Sequence, residues 1–93
     1  MNLKTHELKC VQPFFDLVLE GDKTAEMRYN DRYFQVGDRI LLKEWIEEER
    51  RFTGREIRLR ITHILFGGQY GIESGWVMIS FTLAPNPDAL ESR

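Results

Sequence analysis

The run REIRLRITHIL, residues 55–65, restricts the fold more than any other part of the chain. Ile57, Leu59 and Ile61 alternate with Arg58, Arg60 and Thr62, a period of two that only an extended strand with one buried face satisfies. One face therefore meets a core and the other meets solvent or a ligand. Three further stretches carry strand signals: HELKCV near the start, RILLKEW from Arg39 to Trp45, and WVMISFTLA near the end. TAEMRYN adds a shorter one. A single segment, QPFFDLVLEGDK, has the helical spacing instead. Pro13 suits its first turn, Phe14, Leu17 and Val18 recur along it, and Gly21 supplies a left-handed stop, which predicts a helix over residues 12–20.

The connections follow from turn chemistry. Gly37-Asp38 reads as a tight turn before the strand at Arg39, Gly54 as the tip of a charged hairpin, and GGQYGIESG as a glycine-rich loop. One short helix with five to six strands predicts an α+β, mainly β domain: a small closed or half-closed barrel with the helix covering one opening. With 93 residues, 42% of them apolar, the chain holds one core and no second one. We place the domain at residues 1–84 and expect residues 85–93, PNPDALESR, to be a flexible tail.

Charge limits the function. Thirteen Lys and Arg stand against 15 Asp and Glu, a net charge of −2, so the chain lacks the global positive field of a sequence-independent DNA binder. Any site for a polyanion must be local. The single cysteine, Cys10, forms no internal disulfide and reads as a small buried hydrophobe in a reducing, cytoplasmic setting. No apolar run approaches the roughly 20 residues that cross a bilayer. His6, His63, Cys10 and Glu7 match no structural zinc spacing, and GGQYGIESG lacks the Lys-Ser/Thr and helix of a phosphate-cradling loop. No metal or cofactor is implied.

The densest polar cluster is Lys23, Thr24, Glu26 and Arg28, set between two Gly-Asp turns. Alternation places Thr24, Glu26 and Arg28 on one face with Lys23 at its edge, in a cleft between the helix end, the first loop and the barrel mouth. Arg28 offers a planar fork of donors and Lys23 a flexible ammonium, while Glu26 accepts, a set that holds phosphate oxygens or a base edge. Tyr29, Tyr33, Phe34, Tyr70 and Trp76 are the aromatic candidates for stacking an unpaired base. The competing reading is a salt-bridged network that ties the helix end to the sheet. Arg50, Arg51, Arg55, Arg58 and Arg60 are offset by Glu47, Glu48, Glu49 and Glu56, which favours an ion-paired hairpin, although Arg58 and Arg60 share one surface and form a candidate phosphate strip. Trp45 and Trp76 read as packing residues.

Residues Gly21, Lys23, Glu26 and Arg28 resemble the G-x-K-x-x-E-x-R signature of the ASCH branch of the PUA-like superfamily. With HELK at residues 6–9, KTAEMRYNDRYFQVGD, TGREI and GWVMISF, the fuller pattern is similar to the small bacterial and phage DUF3850 family. The resemblance spans roughly residues 4–82. It implies a pseudobarrel with a helix-bordered cleft that binds RNA or modified nucleosides, and it makes His6 a candidate cleft residue. Some ASCH-like proteins are amidohydrolases that remove an acetyl group from cytidine, with a threonine nucleophile three residues after the lysine. That slot holds Glu26 here, so in a hydrolase reading Lys23, Thr24 and Glu26 share the catalysis and Glu73 is the distant acid. A third reading is a protein-interaction domain, such as a phage inhibitor of a host factor.

Overall fold

A computed structural model describes residues 3–84, and the expected tail, 85–93, lies outside the described residues. In chain order the elements are β1 (Thr5–Val11), α1 (Gln12–Leu19), β2 (Ala25–Tyr29), β3 (Arg39–Ile46), β4 (Arg51–Phe66) and β5 (Trp76–Leu83). The five strands make one sheet in the order β1-β3-β4-β5-β2. β1 runs parallel to β3, and the other pairs are antiparallel. The sheet curls into a half-barrel, giving the mainly β, α+β fold its pattern predicts. No helix among the described residues is long and apolar enough to cross a membrane.

Curling follows from β4. It pairs with β3 along its first half and with β5 along its second, and its register shifts twice, between Lys43 and Trp45 on β3 and between Ile61 and His63 on β4 itself. Each extra residue bends the strand and increases its twist. After the second shift, Ile64 rather than His63 turns inward. The concave face collects Leu8, Cys10, Ile40, Leu42, Ile57, Leu59, Ile61, Val77, Ile79 and Phe81, and α1 adds Phe15 and Val18 to the same core. Phe34, from the loop after β2, fills its remaining side.

Two local expectations are corrected. The β3–β4 hairpin turns at Glu47–Arg50, where Arg50 takes the left-handed conformation (φ 51°), and Gly54 lies within β4 near the first register shift. Trp45 and Trp76 do not serve the core. Trp45 lies half-buried on the convex face against Phe52, and Trp76 is exposed beside Tyr29.

The end of α1 sets up the site. The Gly21 amide donates to Val18, and the amides of Asp22 and Lys23 both donate to the Leu17 carbonyl, so the last carbonyls are satisfied as the chain reverses through Gly21 at φ 84°. This closure delivers Lys23 to the rim of the sheet just before β2 begins.

Candidate functional site

β1 and β2 are the two edges of the sheet, and the half-barrel opens between them. A cleft of about 480 Å³ fills that opening. Lys9, Lys23, Arg28 and Arg32 with Glu26 and Asp31 supply its charge, and Phe14, Tyr29 and Trp76 supply ring surface around it. The alternation of β2 explains two of the charged groups. Glu26 and Arg28 stand opposite Ile79 and Val77, both buried, so they project from the concave side of an edge strand, above the apolar core.

The charged groups hold one another and the two edges. Arg28 donates from Nε to Glu26 Oε2 and from Nη2 to the Lys9 carbonyl at 2.7 Å. Lys23 Nζ donates to the Ala25 carbonyl at 2.6 Å and stands 3.6 Å from Glu26 Oε1. Arg32 donates from Nη1 to the Glu7 carbonyl at 2.7 Å. Two arginines thus cap the main-chain acceptors of an edge strand that would otherwise invite pairing. Some capacity remains free: Arg28 Nη1 has no hydrogen bond among the described residues, and Lys23, Glu26 and Arg28 keep 27%, 18% and 27% of their side-chain exposure.

The backbone of β1 adds donors that no side-chain pattern reveals. On the side facing β3, the Arg39 amide donates to the Lys4 carbonyl, whereas the Glu7 and Lys9 carbonyls point to the cleft. In a parallel ladder the N–H and C=O of one residue point to the same side, so the Glu7 and Lys9 amides face the cleft as well. A guest in the cleft therefore meets main-chain N–H groups, a guanidinium and a carboxylate together.

Cys10 also lines the cleft wall. Burial pushes its thiol up to about 11, with the Glu26 carboxylate adding to the rise and Lys23 and Arg28 opposing it. It stays protonated at neutral pH and is a poor nucleophile.

Other candidate residues fall elsewhere. Thr24 precedes β2, its carbonyl accepts from the Phe81 amide, and it borders a separate depression of about 230 Å³ with Val18, Gly21 and Leu83. Lys23 alone of the cluster touches both hollows. His6 is buried in the interior, with Nε2 2.8 Å from Asp38 Oδ2 and its ring edge-on to Phe34, and it does not line the cleft. It serves the loop before β3: Asp38 also accepts from the amides of Lys4 and Gln35, each at 3.1 Å. Tyr33 and Tyr70 are exposed, at left-handed backbone positions away from the cleft lining. Phe34 is buried and forms part of the cleft's inner wall. Glu73 lies in the loop after β4, where its carbonyl accepts from the Trp76 amide and closely approaches Gly67, leaving no room there for a Cβ. That contact accounts for a glycine in the loop by packing.

The basic hairpin divides. Arg50 pairs with Glu47, Arg51 with Glu49, and Arg55 with Asp16 of α1 and with Glu44, whereas Arg58 and Arg60 have no ion pair among the described residues. The sequence does not single out Lys9 and Arg32, and it reads Phe14 with Leu17 and Val18 as the apolar stripe of the helix, whereas Phe14 and Leu17 are exposed and Phe14 lines the cleft. Phe14 carried a usable signal, since it falls beside the helical stripe set by Phe15 and Val18, the two buried helix residues.

Residues 5–81 match a family model described as "Domain of unknown function (DUF3850)". The chain is also 47% identical over 64 residues to the "Uncharacterized 12.9 kDa protein in GpA 3'region" of Escherichia phage P2. The aligned part covers 69% of this chain and 57% of that protein, so the chain spans little more than half the length of the relative.

Proposed function

The chain belongs to the DUF3850 family, and from that premise we propose that the cleft between β1 and β2 holds one unpaired nucleotide of a single-stranded or modified RNA. The observation that carries the proposal is the convergence of Lys23, Glu26 and Arg28 on a cleft of about 480 Å³ with Phe14, Tyr29 and Trp76 along its lining. A nucleobase needs a flat apolar contact and an edge of donors and acceptors, and this cleft offers both. Glu26 accepts from an exocyclic amine, the free Nη1 of Arg28 donates to a base carbonyl, and Lys23 and Arg32 meet phosphate oxygens. The likeness of Gly21, Lys23, Glu26 and Arg28 to the ASCH signature of the PUA-like superfamily supports the same reading.

The geometry gives the hydrolase alternative less support. Thr24 lies over the neighbouring depression, and Cys10, in the cleft wall, is held as a thiol. Neither presents an activated nucleophile to the cleft.

Titrating short single-stranded RNA and a panel of free nucleosides, N4-acetylcytidine among them, into wild type and into a Lys23→Ala/Arg28→Ala variant tests the proposal. The variant is expected to lose at least tenfold in affinity while remaining folded. Equal binding by the two proteins contradicts it.

A further inference from the structure

Arg39 on β3 and Arg60 on β4 stand directly opposite each other on the convex face of the sheet. Arg58, two residues along β4, shares that face and stands opposite Leu41. None of the three has an ion pair among the described residues, and like charges placed directly opposite each other cost stability. The next rows add Lys9 opposite Lys43, Lys43 opposite Glu56, and Trp45 opposite Phe52. With Glu7, which pairs with Lys43 at 3.5 Å, and Glu47, whose Oε1 accepts from the Trp45 indole at 3.0 Å, the face carries five cations against three carboxylates, a positive surplus on a chain whose net charge is −2.

Aromatic rings interleave with these cations. Lys9 Nζ lies 4.0 Å from the Trp45 ring centre, Lys43 Nζ lies 5.2 Å from that of Phe52, and the two rings meet edge to face at 4.8 Å. Phe52 is 45% exposed. Cations beside one exposed ring, Phe52, and one half-buried ring, Trp45, supply what a single strand of nucleic acid requires, charge for the phosphates and flat surfaces for the bases. An open convex sheet face leaves room for an extended strand, and arginine forks match phosphate oxygens two at a time.

We propose that the convex face of β1, β3 and β4 is a second binding surface for single-stranded nucleic acid, with Arg39, Arg58 and Arg60 on the phosphodiester backbone and Trp45 and Phe52 under the bases. It is distinct from the cleft, which opens past the outer edge of β1. Lys9 joins the two, because its carbonyl caps the cleft edge and its ammonium lies over Trp45. A strand with one base in the cleft and its neighbours on the convex face binds more tightly than a free nucleoside, which reaches the cleft alone.

The test uses the full chain and a labelled oligouridylate of about 12 nucleotides, a length within the usual range for one single-strand-binding domain. Binding is followed by fluorescence anisotropy across a salt series. The Arg39→Gln/Arg58→Gln/Arg60→Gln variant is expected to bind at least tenfold more weakly at about 0.1 M salt, with a log–log salt slope flatter by about 2, from three lost contacts at about 0.7 each. Its thermal midpoint is expected to equal or exceed that of wild type, and replacing the same three residues by Lys restores most of the binding and the slope. Arg28→Ala separates the two sites: it is expected to weaken nucleoside binding and leave the salt slope for the oligouridylate unchanged. Wild-type affinity and slope in the triple Gln variant overturn the proposal, as does equal displacement of the oligouridylate by polyglutamate of matched charge. Neither result bears on nucleoside binding in the cleft.

Discussion

Arg28, on edge strand β2, donates from Nη2 to the main-chain carbonyl of Lys9 on the opposite edge strand at 2.7 Å. One side chain thus spans the opening of the half-barrel and joins the two edges that the sheet leaves unpaired. Arg28→Ala removes this link together with the bond to Glu26. The two bonds are partly exposed, so the expected loss is about 1–2 kcal/mol, read by urea denaturation. Lys has one short-reaching ammonium where Arg has a fork, so Arg28→Lys is expected to recover only part of it. Full stability in Arg28→Ala would show that the edges are held some other way.

Asp38 gives the clearest pH signature. Desolvation alone raises its carboxyl, but the hydrogen bond from His6 and those from the amides of Lys4 and Gln35 outweigh burial and hold it below the usual carboxylate value. A depressed folded pKa contributes stability that is complete above the unfolded value and is lost as pH falls through the folded one. Asp38→Asn is therefore expected to destabilise the protein at pH 7, by about 2 kcal/mol, within the range for hydrogen bonds to a charged group. It is also expected to flatten the loss of stability below about pH 4. Denaturation curves at pH 7, 4 and 3 check both, and an unchanged acid slope contradicts the assignment.

Cys10 titrates with the opposite sign. Its thiol is pushed up to about 11 by burial and by Glu26, so the folded state holds the proton more tightly than the unfolded chain. The associated stability is present at neutral pH and falls as pH rises from about 9 towards 11. Cys10→Ala is expected to lose less stability than wild type over that interval, and native wild type to react slowly with a thiol reagent at pH 8. Rapid labelling of the folded protein would contradict the burial argument.

Glu44 is 1% exposed, and its Oε1 accepts from Thr53 Oγ1 at 2.7 Å while Oε2 has no hydrogen bond and lies 3.6 Å from Arg55. A buried charge left without its partner is expensive, whereas a neutral isostere removes that cost. Arg55→Ala is expected to lower the thermal midpoint, and Glu44→Gln in the same background to raise it again. Additive losses from the two substitutions would contradict the coupling.

Ring contacts in the cleft are expected to affect binding more than folding. Trp76 is 37% exposed and Phe14 47%, so replacing either by Ala removes little of the core. Each substitution is expected to weaken nucleotide binding by about 1–3 kcal/mol, the usual worth of a base stacked on an aromatic ring. Titration calorimetry with short RNA measures this, and unaltered affinity in both variants would remove the stacking role.

The sequence showed the strands and the helix because the periods were clean. Ile57, Leu59 and Ile61 are buried as their alternation predicts, and Pro13 and Gly21 bracket the helix. The hairpin tip was misplaced because Arg50 takes a left-handed conformation that glycine usually supplies, while Gly54 takes its positive φ within β4. The cluster at Lys23, Glu26 and Arg28 was legible from its spacing. The place of Thr24 was not, since it lies one residue before β2 and the alternation of the strand does not extend to it. His6 carried no local sign of its partner, because Asp38 is 32 residues away and only the parallel pairing of β1 with β3 brings them together. The Arg39–Arg60 pair and the main-chain donors of β1 depend on register and edge position in the same way, and neither is written in any short run of residues.

The central claim is that the opening between β1 and β2 takes an unpaired nucleotide, and amide chemical-shift mapping during a titration with short single-stranded RNA tests it most directly. The account predicts saturable shifts at the amides of Glu7, Lys9, Arg28, Tyr29 and Arg32 and at the indole of Trp76, all at or around the cleft. Saturating RNA that leaves these signals in place would contradict it.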